Sequence, residues 1–532
     1  MPSAIQPKPV VLRRMGPMEC MQAASSSMDV YHSTMVSCHY MIPNDLVDQS
    51  VEQQLISTWE LAVARVVLRH PMLQVGLRKL DSKKPSFVQV DTINLSKHIE
   101  WRLIDPDKED YGAVRKELYT EQLDKKFPFL EIQPPWRMLI LRSLKGPTAN
   151  DMEVIFGFHH CLHDGMGAKT FHEDLVRALN NPDESKADLV RDHKIKPNAT
   201  TANIPPSQED ALKFTNTLPH TASTIFYELT PPRLLNTLSS STRTFTQKCK
   251  AWPPITPFDL KANKPTRPSR THYATFSIPP DMLPTILSNC RTHKTTITAL
   301  LHSLVLIGLV QQVPASETGS IIKSGTAIDL RRHVIPHTKS KSHPLSNPSR
   351  VVANIVTKMS HTFGDDESEA NLLENIRKLS KPDTKSDEEE FMKIMWSMAT
   401  KVRKELQDRL DLGLKNELAG MMKFVGDWQE YLRDAMFKPR TASWMVTNIG
   451  VLEGDPEGAG GDGLKNRWYI RKAYFTASAE VAGPGFAVCS VSVKGGELCV
   501  EFTWEVGVIE DRVGEAVTAE VERWMRNIGG MV

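Results

Sequence analysis

Apolar residues recur every three or four positions from Leu46 to Leu68, with Val47, Val51, Leu55, Trp59, Ala62 and Val66 on one face. That period predicts an amphipathic helix, capped by Asn44 or Asp45. It must stop near Arg69-His70-Pro71, because proline disfavours helical geometry in the residue before it. Phe87–Val90, Trp136–Leu141 and Glu153–Phe158 read as strands, and the last runs straight into His159-His160. From Gly165 the pattern turns helical again, with Phe171, Leu175, Ala178 and Leu179 together. The second half restarts with a strand over Thr271–Ile278, a helix, and a strongly apolar helix over Thr295–Gln311. A strand then ends in Gly325-Thr326-Ala327-Ile328-Asp329-Leu330-Arg331-Arg332. Phe486–Val493 and Glu497–Trp504 alternate around Lys494-Gly495-Gly496, which predicts a hairpin, and the final helix spans Arg512–Ile528.

Between the halves the pattern weakens. Pro, Thr, Ser and Lys crowd the stretch from Arg191 to Arg270, as in Trp252-Pro253-Pro254-Ile255-Thr256-Pro257. We read residues 1–205 as an N-terminal unit, 206–270 as a linker region carrying short helices, and 271–532 as a C-terminal unit. Two acidic or Gly-rich segments, 364–390 and 453–463, read as mobile insertions. Each half mixes helices and strands without strict alternation, so the expected class is α/β in the α+β sense, as two domains.

Composition narrows the function. The 532 residues hold 65 Lys+Arg against 63 Asp+Glu, a net charge of +2, which offers no global basic field for nucleic acid. Seven scattered cysteines form no C-x-x-C pair, so neither a disulfide framework nor a thiolate zinc site is expected. The proline-broken start is unlike a signal peptide, and Gly529-Gly530-Met531-Val532 carries no lipidation signal. The most apolar stretch, Ile297 to Val310, is 14 residues long with His302 inside it. That is too short to span a bilayer and reads as a buried core helix. The expectation is a soluble, cytoplasmic monomer without a transmembrane segment.

Chemistry concentrates in Phe158-His159-His160-Cys161-Leu162-His163-Asp164-Gly165-Met166-Gly167, between a buried strand and a helix start. Such junctions expose side chains and aim backbone N–H groups outward. His159 and His163 have i, i+4 spacing, but no Glu stands between them in the zinc-protease manner, and a strand-to-loop junction would not put both on one helix. No metal is expected. No G-x-S-x-G elbow occurs, which removes a serine nucleophile of that type. Cys161 neighbours His160 in an extended chain, where adjacent side chains diverge, so a Cys–His pair is weak. General base catalysis by a histidine remains, since a neutral imidazole can take a proton from an alcohol, amine or thiol.

His159-His160-x-x-x-Asp164-Gly165 resembles the H-H-x-x-x-D-G signature of the chloramphenicol acetyltransferase-like enzymes, which include condensation domains. Met15-Gly16-Pro17-Met18-Glu19, Arg69-His70-Pro71-Met72-Leu73, Ala327-Ile328-Asp329-Leu330-Arg331-Arg332 and Val446-Thr447-Asn448-Ile449-Gly450 are similar to landmarks of the fungal alcohol acetyltransferase branch. The D-F-G-W-G element of the plant branch is absent, as are carrier, adenylation and thioesterase segments. The resemblance implies two similar domains, each a mixed sheet with helices, around a central active-site tunnel. It implies His160 as the base and Asp164 as the residue orienting its loop through an arginine, for which Arg331 and Arg69 are candidates. His159 and Gly165 would support the loop. Asn448 or Thr447 would face the oxyanion, and Cys161 and His163 would line the pocket wall. No bound cofactor is implied. Acetyl-CoA or another acyl-CoA would be the co-substrate, and the partners would be that acyl-CoA and a small-molecule acceptor. The implied activity is O-acyl, foremost O-acetyl, transfer to a small alcohol or secondary-metabolite hydroxyl. An amine acceptor, a carrier-bound donor, and a non-catalytic binding protein on the same fold are the alternatives.

Overall fold

A computed structural model describes residues 9–146, 149–181, 188–229, 252–319, 321–337, 343–379, 385–454 and 466–530. Two mixed sheets organise it. The first has five strands in the order Tyr469–Ala477, Thr34–Met41, Asp151–Phe158, Trp136–Ser143 and Ile99–Ile104, antiparallel except for the last pair. The second has six: Thr271–Ile278, Leu498–Glu505, Phe486–Val493, Trp444–Leu452, Ile322–Asp329 and Val356–Phe363. The first sheet therefore takes an edge strand from the far end of the chain. Its partner Thr34–Met41 is buried along nearly its whole length, so eight residues of antiparallel pairing join the two lobes.

Helices cover the sheets where the apolar faces demand it. Helix Glu52–Arg69 packs with Gly165–Asn180 on the first sheet, burying Leu55, Trp59, Val63 and Val66 against Phe171 and Leu175. It ends at an extended His70 before Pro71. Its start lies later than the periodicity suggested. Asn44 and Asp45 sit in a separate 3-10 turn, and Asp48 accepts from Ser50 N (2.7 Å) in a second one, so the helix opens only at Glu52. In the second lobe the apolar helix Ile297–Gln312 is wrapped by Lys385–Asp411 and Asp511–Gly529, and Ala299 through Val310 are all buried. Among the described residues no single helix is long and apolar enough to cross a membrane.

The segment 364–390 is not a mobile insertion over its described part. Asp366 caps a helix over Glu367–Lys378, whose Leu373 and Ile376 are buried, and helix Lys385–Asp411 begins inside the acidic run. Glu388, Glu389 and Glu390 form its solvated side, with Phe391 turned into the core. The second segment, from residue 455 onward, lies outside the described residues. In the region 206–270 the structure describes short helices at Gln208–Ala211 and Leu218–Leu229, then a two-residue ladder of Phe258–Asp259 with Lys264–Pro265.

Where the sheets meet, a polar network is largely buried, with Glu153 at its centre. Glu153 accepts from Arg115 Nε (2.9 Å), Tyr119 OH (2.6 Å), Tyr111 OH (3.1 Å) and Ser37 Oγ (2.9 Å). Arg115 also donates to Tyr273 OH of the other lobe (2.8 Å) and lies over the rings of Tyr119 and Tyr474. Burial opposes its charge, but Arg115 and the hydrogen bonds hold the Glu153 carboxyl down at about 2. Glu501 meets the opposite fate. Burial pushes its carboxyl up to about 7 despite Arg115, with Thr275 Oγ1 donating to it at 2.7 Å and Thr476 beside it.

A carboxyl raised on folding stabilises the fold fully below its unfolded pKa, near 4.5 for Glu501, and loses that contribution as pH rises through about 7. Glu501→Gln copies the protonated acid. It is expected to be more stable than wild type at pH 8, by about 1–3 kcal/mol, and equal to it at pH 5. Thermal unfolding at both pH values checks this; a variant melting below wild type at pH 8 would mean that the fold favours the Glu501 carboxylate and that burial does not raise it.

Candidate active site

Strand Asp151–Phe158 is buried at every position and delivers its last residues to the interface of the lobes. A tight turn follows, in which Leu162 N donates to His159 O (2.9 Å), and helix Gly165–Asn180 begins at once. Asp164 is its N-cap, accepting from Gly167 N (2.9 Å). The two glycines are required by contact. A Cβ on Gly165 would lie 2.9 Å from both Ile449 Cγ2 and Phe475 Cζ, and one on Gly167 would lie 2.8 Å from His163 Cβ. The helix thus starts flush against the strands Trp444–Leu452 and Tyr469–Ala477.

The Asp164 carboxylate is met by Arg331. Arg331 Nη2 donates to Oδ1 (2.8 Å) and Nη1 to Oδ2 (2.9 Å), a bidentate pair with both side chains buried. Ile355 N donates to Oδ2 as well (3.0 Å). Arg331 spends its remaining donors on Val351 O, Ala353 O and the Asp329 carboxylate. Burial alone would raise the Asp164 carboxyl, but the guanidinium and these hydrogen bonds outweigh it and hold the group below the usual range. Arg69 is elsewhere. Its side chain is 59% exposed and, among the described residues, pairs with Asp174 alone, at 3.7 Å, because helix Glu52–Arg69 aims its last turn at solvent.

His160 lines a cavity of about 130 Å³ between the lobes, with Asp164, Gly165, Thr447 and Asn448 also on its wall. Asn354 Nδ2 donates to His160 O (2.7 Å) and lies 3.3 Å from the ring's Nδ1. No protein group among the described residues hydrogen-bonds its Nε2. Burial pushes the His160 ring below its ordinary value, against the pull of its own backbone carbonyl and of Asp164. The imidazole is therefore neutral at physiological pH. Lys358 and Glu480, 3.8 Å apart, face each other across the same cavity.

The other residues of the motif turn inward. His159 accepts from Cys161 N (3.1 Å) and is buried, which pushes its ring down to about 3. Cys161 and His163 do not line the cavity, in contrast to their expected place on its wall. The Cys161 thiol is 3.4 Å from Glu19 O in the core, and burial raises it well above the usual thiol range. His163 stacks on Phe158, with ring centroids 4.0 Å apart, and Nδ1 lies 2.9 Å from Asp164 O. The turn after His159 reverses the chain sooner than an extended junction would, and that buries both. Asn448 Nδ2 donates to Thr298 Oγ1 (3.2 Å) and its Oδ1 accepts from Gly450 N (2.7 Å), holding a bulge where Gly450 has φ 72°.

Asn354, Tyr31, Lys358, Ser478 and Glu480 were not singled out from sequence. Asn354 sits in the run Val351-Val352-Ala353-Asn354-Ile355, a lone amide in an apolar stretch, and that was the available signal. The rest come from strand ends whose convergence only the fold reveals.

This arrangement, a histidine-bearing turn between two mixed α/β lobes, is similar in fold to that of solved acetyltransferases. The chain belongs to the alcohol acetyltransferase family, whose sequence model matches residues 14–516. It is 26% identical over 529 residues to the probable alcohol acetyltransferase FCK4 of Fusarium pseudograminearum, covering 98% of this chain and 96% of that one. The fold is similar to that of TRI3, a trichothecene 15-O-acetyltransferase from Fusarium sporotrichioides, with TM-score 0.63 and 13% identity over 97% of this chain and 94% of that one. TRI101 of F. sporotrichioides, solved with coenzyme A and T-2, gives TM-score 0.54 and 13% identity over 96% and 98% of the two chains.

Removing one partner of a buried ion pair leaves the other uncompensated, at roughly 3–5 kcal/mol. Asp164→Ala and Arg331→Ala are each expected to lower the unfolding temperature strongly, whereas Arg69→Ala, an exposed partner of an Asp174 also held by His70 and Arg350, should change stability by less than about 1 kcal/mol. Melting curves of the three variants decide; an Arg331→Ala that melts like Arg69→Ala would mean the pair contributes nothing.

Proposed function

We propose that the chain transfers an acetyl group from acetyl-CoA directly to the hydroxyl of a small alcohol or secondary metabolite, with His160 as general base. The observation that carries this reading is a neutral His160 with Nε2 free toward a cavity walled by both lobes. Only Nδ1 can reach the residue's own backbone carbonyl, so a proton on Nδ1 directed there leaves the Nε2 lone pair for the acceptor. Nε2 takes the hydroxyl proton as the oxygen attacks the thioester carbonyl. The C–S bond then breaks, and His160 returns the proton to the departing thiolate of CoA.

Asp164 acts through position, because its carboxylate is consumed by Arg331, Ile355 N and Gly167 N. An amide nitrogen has two donors, and Asn448 uses one on Thr298, so the second is available to the oxyanion. Cys161 takes no part, since its thiol is buried and stays protonated. CoA as the acyl carrier is supported by TRI101, solved with coenzyme A, and an alcohol acceptor by the family.

His160→Ala is expected to cut kcat for acetyl transfer by about 10²–10⁴-fold while the unfolding temperature stays within a few degrees of wild type. Because the ring's pKa is depressed, the acid limb of the kcat/KM profile should lie below pH 6.5. Coupled detection of free CoA thiol gives both. More than about a tenth of wild-type turnover in the variant would remove His160 from the chemistry.

A further inference from the structure

A second cavity shares a wall with the reaction cavity. Met18 and Lys358 line both. The second, also about 130 Å³, is formed by helix Pro17–Ser27, the 3-10 segment Leu418–Phe424, helix Trp428–Ala435 and the helix carrying Ile225. Its chemistry differs sharply. Met18, Met21, Met421 and Met422 supply four thioethers, Trp428 an aromatic face, and Lys358 is the single charged residue on its described wall. Methionine side chains are flexible and polarisable, and adapt to apolar guests of varied shape. Leu418, Phe424 and Ile225 remain 46%, 44% and 36% exposed beside it, so apolar surface continues outward to solvent.

The residues shared by the two cavities stand on anchored backbone. Met18 N donates to Glu209 Oε1 (2.9 Å), and Thr357, beside Lys358, donates to Glu417 Oε1 (2.5 Å). An acetyl group has two carbons and gives no reason for a second apolar chamber. The acceptor is the reactant whose remainder must leave the reaction cavity while its hydroxyl stays at His160.

We propose that this methionine-lined cavity binds the apolar body of the acceptor, which makes the acceptor a hydrophobic alcohol extending well beyond its reacting hydroxyl. The inference rests on the alcohol-acetylating reading above and specifies the substrate class of that site. Lys358 would mark the passage, with hydroxyl and thioester on one side and hydrocarbon on the other.

Two measurements separate the inference from the reading beneath it. The first is calorimetric titration of the full chain with 1-octanol without CoA. Saturable binding is expected, weakened at least tenfold in Met421→Gln, which keeps side-chain length but adds a polar amide. Ile225→Gln, at a partly exposed position, serves if Met421→Gln fails to fold. No saturable binding, or binding unchanged in the variants that fold, overturns the pocket assignment whatever the turnover. The second is kcat/KM with acetyl-CoA across ethanol, butanol, hexanol and octanol, expected to rise about threefold or more per added methylene. The ratio of octanol to ethanol should collapse at least tenfold in the same variants. A flat series in an active enzyme overturns the proposal, and so does a chain-length dependence that follows the acyl-CoA instead of the alcohol. Failure to acetylate any alcohol, with octanol still bound, would count against the proposed reaction and leave the cavity's ligand class standing.

Discussion

Asp164 and Arg331 enter the interior together, and most of the site's geometry follows from that pairing. Alone, either charge would be costly to bury; paired and fully hydrogen-bonded, the two cost little, but they fix where things are. Asp164 belongs to the first lobe and caps its helix, while Arg331 belongs to the second and ties the carbonyls of Val351 and Ala353. Between those carbonyls and Ile355, whose N–H also goes to Asp164, stands Asn354, which holds the backbone of His160. One ion pair therefore sets the helix start, the crossing segment of the other lobe and the turn carrying the base.

The same economy separates four chemically reactive side chains packed within five residues. His159, Cys161 and His163 are buried, and burial keeps the imidazoles and the thiol uncharged. His160 alone faces the cavity. The acid four residues on does not reach its ring, because its oxygens are occupied by stronger donors. The tightness of the Gly165 contacts explains why the helix can approach the strands closely enough to bring Asn448 and Thr447 onto the same cavity wall, while Gly167 lets His163 pack back against the helix start.

Much of this was legible from sequence where local physics dominates. Proline at 71 stops helix Glu52–Arg69, alternation marks the hairpin Phe486–Val493 with Leu498–Glu505, and a mostly apolar run marks the central helix of the second lobe. Long-range pairings were not legible. Tyr469–Ala477 carries Arg471 and Lys472 and gives no hint that it crosses to the other sheet, since a strand's partner is chosen by tertiary fit. The acidic run before Phe391 resembled an insertion because its charges lie on the solvated face of a helix that buries the opposite face. For the site, the motif located the turn but could not say which side chains face the cavity; the tight turn after His159 decides that. Choosing between Arg331 and Arg69 needed the fold, because both follow an apolar element and only one points inward.

Asp164 and Arg331 act as one unit across the lobes, and a double-mutant cycle measures that coupling. Unfolding free energies and kcat for wild type, Asp164→Ala, Arg331→Ala and the double variant give the coupling between the two positions. Each single variant takes the buried partner from a buried charge, Arg331 keeping only the half-exposed Asp329, and the double variant leaves neither buried charge, so the double variant should be no less stable than the worse single one. The coupling energy should be about 2 kcal/mol or more. Losses that add to within about 0.5 kcal/mol would show that the two residues act independently, and the account of how His160 is placed would not stand.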